Sequence, residues 1–135
     1  MQSEAAAPST EAPAETEVLI HHSVSAVFGG DVCASLRTQL KDVLPPTATV
    51  GAATTAPESA TALETADVVL TIRPIADALP ADTAPDWVQT LNSGVDAYAL
   101  DALADRGVAV TNAAGIAANP IAEQVLGYLL TFERR

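Results

Sequence analysis

An α/β architecture, a parallel sheet with helices on both faces, is predicted by three observations on the sequence. Five short apolar segments alternate with stretches of helical periodicity along the chain. The clearest of them, Asp67 to Ile72 (DVVLTI), is close to continuously apolar rather than alternating, as expected of a strand covered on both faces. Gly and Pro punctuation, at Gly29-Gly30, Pro45-Pro46, Pro74 and Gly107, falls between these segments.

Taken in order, the first strand is predicted over Val18 to His22, apolar until the paired histidines. A helix follows the Gly29-Gly30 turn, with Asp31 as N-cap and Val32, Leu36, Leu40 and Val43 on one face, and Pro45-Pro46 ends it. The second strand, Ala48 to Ala52, is short and rich in Ala and Thr, which suits an edge position. Glu58 to Thr65 reads as a short helix, and Asp67 to Ile72 as the third strand. Trp87 to Leu91 makes the fourth strand, and residues 97 to 105 a helix with Leu100 and Leu103 facing inward, stopped by Gly107. Val108 to Val110 is the fifth strand. The last helix is predicted to start at Asn119 as N-cap with Pro120 in the first helical position. Its Ile121, Ala122, Val125, Leu126, Leu129 and Leu130 fill about half the circumference, a wider face than one side of a small sheet needs, so a second packing partner is expected. Right-handed crossovers joining five parallel strands most simply give the doubly wound, flavodoxin-like order 2-1-3-4-5.

At 135 residues the chain suits one folded domain. The organisation expected is an acidic disordered tail over residues 1–16, a domain over 17–118 and a closing helix over 119–135. The tail (MQSEAAAPSTEAPAET) has neither the basic nor the apolar region of a signal peptide, and too little apolar surface to offset its ordering entropy. A single cysteine, Cys33, excludes an internal disulfide and the common zinc patterns, and a reducing, cytoplasmic setting is the default. Six basic against seventeen acidic residues give a net charge of -11, which repels nucleic-acid phosphates and anionic lipid. With one lysine, Lys41, the composition also suggests a halophilic protein whose self-repulsion is screened by concentrated counterions. Ordinary solubility bias is the plainer reading.

In a doubly wound sheet, ligands bind beyond the carboxyl ends of the strands, which puts His21, His22 and Ser23, then Arg73, then Asn92, Ser93 and Gly94 on one rim. Asn92-Ser93-Gly94-Val95-Asp96 leading into a helix is the strongest local signal there. Free amides at a helix start favour an anion such as a carboxylate by roughly 0.3–1 kcal/mol. The competing reading is an ordinary turn with Asp96 as N-cap. Adjacent histidines on a strand point to opposite faces, so shared ligation of one metal is disfavoured against solvated or capping roles. Arg73 has the paired donors to clamp an acid, with a plain salt bridge as the alternative. Gly29-Gly30 lacks the rest of a P-loop or dinucleotide fingerprint, and Ser23-His22 lacks a nucleophile elbow. A phospho-acceptor receiver on the same fold fails, because the strand ends read HHSVS and TIRP where it needs acidic residues.

From about Val18 onward the chain resembles the N-terminal, substrate-binding part of the D-isomer-specific 2-hydroxyacid dehydrogenases. The resemblance is most specific over Trp87 to Arg135, in WVQTLNSGVD, GVAVTNAAG and NPIAEQVLGYLLTFERR. It implies a two-domain oxidoreductase that passes hydride between NAD or NADP and a small 2-oxo or 2-hydroxy acid in the cleft between domains. By that resemblance Ser93 and Gly94 offer backbone amides to the substrate carboxylate, and Ile121, on a helix crossing into the cofactor domain, lies near the nicotinamide. A homodimer is implied for the two-domain protein. The family's nucleotide loop and its catalytic arginine, acid and histidine follow this helix, so no catalytic residue transfers to this chain, and Arg73, His21 and His22 do not correspond to them. The 135 residues alone are expected neither to bind NAD tightly nor to turn over a 2-oxo acid. The contrasting expectation is a non-catalytic module that kept the fold to bind small carboxylates or to self-associate.

Overall fold

The computed structural model describes residues 15–134. Strand β1 (Thr16–Ile20) is followed by helices α1 (His22–Phe28) and α2 (Gly30–Val43), then β2 (Ala48–Ala52), α3 (Ala56–Ala62) and β3 (Val68–Thr71). A 3₁₀ turn (Ala76–Ala78) leads to β4 (Trp87–Thr90), α4 (Leu100–Ala104), β5 (Ala109–Thr111) and α5 (Ala118–Glu133). All four strand pairings are parallel, in the order β2-β1-β3-β4-β5. The predicted flavodoxin-like sheet is therefore the observed one, with β2 at an edge.

The two faces of the sheet are packed unequally. On one face Leu19, Val69 and Val88 lie under α3, the 3₁₀ turn and α4, meeting Leu63, Ile75, Leu79 and Leu103. Each of these side chains is buried, and burial of a Leu or Ile side chain contributes roughly 1.5–3 kcal/mol. On the other face Val18, Ile20 and Val50 pack against Val24 and Cys33 of α1 and α2, with Leu36 and Leu40 half-buried beside them. Cys33 is a buried small apolar group here. Every described residue of α5 is exposed, so the described residues leave uncovered the wide apolar face read from its sequence.

Several boundaries differ from expectation, each for a local reason. β1 ends at Ile20, because His21 turns its ring back to accept from the Ser23 amide and starts a helix instead of prolonging the strand. The residues that follow, SVSAVF, are poor helix formers without a conventional cap, and α1 was not predicted. Gly29, with φ of 88°, separates α1 from α2 and is itself the N-cap of α2, which puts Asp31 inside the first turn. α3 starts two residues earlier than predicted, because Thr55 and Glu58 form a reciprocal capping box. The last helix starts at Ala118 after Ala117, so Asn119 and Pro120 lie in its first turn and do not form its boundary. Thr16 belongs to β1, which shortens the expected tail by a residue; residues 1–14 lie outside the described residues. Among the described residues no helix is long and apolar enough to cross a membrane.

Two substitutions read this packing directly. Leu103→Ala, at 1% exposure, is expected to cost about 2–5 kcal/mol in urea unfolding, and Thr55→Ala about 1 kcal/mol through loss of the cap.

Candidate functional site

The carboxyl ends of β3 and β4 each finish on a threonine, Thr71 and Thr90, and the sheet register sets the two side by side. Both are fully buried. A hydroxyl there needs partners, since stranding one costs about 1–3 kcal/mol, and each threonine finds one two residues ahead on its own chain. The Arg73 amide donates to Thr71 Oγ1 at 3.1 Å, and the Asn92 amide donates to Thr90 Oγ1 at 3.1 Å. The same short-range motif thus turns the backbone out of both strands at the same level.

Further side chains join the two turns into a belt. Ser23 Oγ, from the first turn of α1, lies 3.1 Å from Thr71 Oγ1 and accepts from the Ile72 amide at 3.2 Å. Tyr98 Oη lies 2.6 Å from Thr90 Oγ1, and the Asn92 side-chain amide donates to the Ile72 carbonyl at 2.7 Å and to Tyr98 Oη at 3.1 Å. Beyond β5, the Asn112 side-chain amide donates to the Ser93 carbonyl at 2.8 Å and the Ala113 N–H to the Asn92 carbonyl at 2.9 Å. Among the described residues no buried side-chain nitrogen or oxygen lacks a partner. The sequence reading missed this belt. Its signal was a hydroxyl residue at the last position of two adjacent strands, in LTI and QTL.

Within this frame the predicted rim residues separate into two groups. His21 and Ser23 are buried and hold backbone, and are not presented to a ligand. His21 Nδ1 accepts from the Ser23 amide and lies 2.9 Å from Ser23 Oγ, the capping role weighed for it from sequence. His22, half-buried, has its backbone N–H and Nδ1 3.0 and 2.9 Å from Ser59 Oγ, which ties α1 to α3. The strand geometry used to argue against paired ligation does not apply, because the two histidines occupy a cap and a helix start. Arg73, Ser93 and Gly94 are exposed, and Asn92 is half-buried with its amide committed to bracing.

The helix-start argument for Gly94 does not survive. α4 begins at Leu100 with Ala99 as N-cap and spans five residues, so neither Gly94 nor Asp96 sits at a helix terminus. Tyr98 is the cause. Its amide closes a turn onto the Val95 carbonyl and its ring is drawn down onto Thr90, so helical geometry starts only beyond it. Leu100 is accordingly exposed, against expectation, while Leu103 is buried as predicted.

Gly94 has no positive φ, and a Cβ added there would meet nothing closer than the Asp96 carboxylate at 4.0 Å. Neither the turn nor the packing of this chain needs a glycine at that position. The surface beside it is open on the outer side of a backbone segment clamped at Asn92 and Ser93.

Burial, and after it the proximity of His22, lowers the His21 pKa from 6.5 to about 4, so the ring is neutral at pH 7 with Nδ1 free to accept. The unfolded chain takes up this proton near pH 6.5 and the folded one only near 4. Folding stability from this group is therefore undiminished above pH 6.5 and falls as pH drops from 6.5 towards 4. Glu58, whose pKa is lowered by donation from the Thr54 amide and hydroxyl and from Thr55, adds stability present above the ordinary carboxylate range and lost in more acidic solution. His21→Asn keeps a capping acceptor and removes the titration. Urea unfolding of the two proteins between pH 7 and 4 is expected to show native stability falling by on the order of 1–3 kcal/mol more than that of the variant.

No protein-family model matches the chain, and no solved structure is a significant match to it, so a functional reading rests on the geometry of this rim.

Proposed function

We propose that this chain is the substrate-gripping wall of an NAD(P)-dependent D-2-hydroxyacid dehydrogenase. The observation that carries the reading is the Ser93-Gly94 segment. It is exposed at the carboxyl rim of a parallel sheet, where such folds bind ligands, and it is braced by Asn92 onto the Ile72 carbonyl after β3, by Tyr98 from the segment before α4, and by Asn112 just after β5. A glycine that its own chain does not require leaves room for close approach to the backbone.

In this reading the main-chain N–H groups at Ser93 and Gly94 donate to the carboxylate of a 2-oxo or 2-hydroxy acid. Donors held in place before binding cost little ordering entropy, and hydrogen bonds to a charged acceptor are worth about 1.5–3 kcal/mol each. Arg73, exposed at the end of β3, supplies positive charge on the same rim in a chain with net charge -11. Asn92 orients the segment without touching substrate. Ile121, exposed on α5, offers an apolar surface suited to a nicotinamide ring. The cofactor, NAD or NADP, supplies or accepts the hydride, and the proton-transfer groups belong to an opposing wall outside these residues.

Titrating glyoxylate or pyruvate into isotopically labelled protein tests the grip. Saturable shifts of the Ser93 and Gly94 amides are expected, with affinity in about the millimolar range. Gly94→Val should abolish them while leaving the remaining spectrum folded, and Arg73→Ala should weaken binding roughly tenfold. Shifts that are absent, or spread over the surface without saturating, contradict the proposal.

A further inference from the structure

Leu100 is a large apolar side chain left 40% exposed at the first position of α4, and its surroundings give it a use. A cavity of about 430 Å³ opens at the carboxyl end of β5, lined by Val95, Leu100, Val110, Thr111 and Asn112. None of the five is charged, and Val95 and Val110 are half-buried in its wall. Small-molecule sites are cavities of roughly 300–1,000 Å³, mostly apolar with a few placed polar groups.

The cavity adjoins the Ser93-Gly94 segment through two of its walls. Val95 follows Gly94 directly, and Asn112 donates from its side chain to the Ser93 carbonyl. A ligand held by the Ser93 and Gly94 amides therefore has an uncharged recess beside it, towards β5. Charge around the segment is unequal. A second cavity, of about 500 Å³, shares Val95 and Leu100 with the first and has Asp96 and Asp101, both exposed, in its wall. The Asp96 carboxylate stands 4.0 Å from the place of a Cβ on Gly94. Arg73 lies towards β3: Thr71 and Thr90 are register partners, so Arg73 follows β3 at the level at which Asn92 follows β4. An anion is drawn to the β3 side of the segment and repelled from the side of the two aspartates, most strongly at low ionic strength.

We propose that the cavity beside Ser93 receives the side chain of the bound acid, and that this acid is a 2-oxo or 2-hydroxy monocarboxylate with an uncharged, branched aliphatic chain. The assignment rests on the reading of Ser93 and Gly94 as the carboxylate grip: with the carboxylate turned to Arg73, the chain falls against Val95, Leu100 and Val110. Each methylene buried there is worth about a factor of four in affinity. A chain ending in a second carboxylate or a phosphate instead meets Asp96 and Asp101 and sets an ionised group against an apolar wall. Specificity thus comes from attraction on one side and exclusion on the other.

Titrating the labelled chain with pyruvate, 4-methyl-2-oxopentanoate and 2-oxoglutarate at low ionic strength, followed by nuclear magnetic resonance, tests the assignment. The branched acid should bind about tenfold more tightly than pyruvate and shift the methyl resonances of Val95, Leu100 and Val110, a readout that needs no variant. 2-Oxoglutarate should bind no more tightly than pyruvate. Leu100→Gln, at an exposed position, should reduce the preference for the branched acid to about twofold or less, and Asp96→Asn/Asp101→Asn should raise 2-oxoglutarate about threefold or more relative to pyruvate. Equal affinities for pyruvate and the branched acid at Ser93 and Gly94, or methyl shifts confined to other residues, overturn the assignment and leave the grip standing. Absence of saturable shifts at Ser93 and Gly94 with all three acids overturns the grip and the assignment with it.

Discussion

The rim depends on two buried hydroxyls set next to each other. Thr71 and Thr90 end adjacent strands in register, and neither can leave its oxygen unsatisfied in the interior. Each takes the backbone N–H two residues on, so both chains leave the sheet in the same turn at the same height. Ser23 and Tyr98 then lock to these hydroxyls from α1 and from the segment before α4. The belt crosses the point between β1 and β3 where the winding of the sheet reverses, the place where doubly wound folds usually open a crevice. Here Ser23 fills it. That displaces the accessible part of the rim towards β4 and β5, where Ser93 and Gly94 lie.

A rigid support with an exposed edge is what recognition through main-chain donors requires. An amide in a mobile loop pays for its ordering when the ligand arrives, whereas one clamped at Asn92 and Ser93 has been ordered by folding. The clamp comes from both sides, so under the proposed reading loss of Asn92 or Tyr98 would act on the geometry of the segment and not on contact with a substrate. Unequal coverage of the two sheet faces belongs to the same economy of structure. One face closes the core under α3 and α4, while on the other α1 and α2 pack on β1, β2 and part of β3, and Trp87, Ala109, Thr111 and every described residue of α5 are exposed.

Much of the fold was legible because it rests on long-range patterning. Continuous apolar runs such as VVLT, the alternation with helical periodicity, and the handedness of crossovers together specify an all-parallel sheet and its order. What was not legible depended on one side chain overriding a local preference. His21 caps a helix that its neighbours do not favour, and Tyr98 delays α4 by reaching eight residues back to Thr90 at the end of β4. Neither contact leaves a periodic trace. Gly94 was correctly placed on an exposed rim, but the reason given from sequence, a helix terminus, was replaced by a braced loop whose glycine the chain itself does not need. The breadth of the apolar face of α5 led to the expectation of a partner, and every described residue of that helix is exposed.

Amide hydrogen exchange resolved by residue addresses the central claim, that buried hydroxyls clamp the rim and leave its outer edge open. Ile72, Arg73 and Asn92, each donating to a buried hydroxyl, should exchange slowly, at rates near that of global unfolding, while Ser93 and Gly94 exchange fast; Thr90→Val should release Asn92 selectively. Equal protection of Asn92 and Gly94, whether both slow or both fast, would contradict the account.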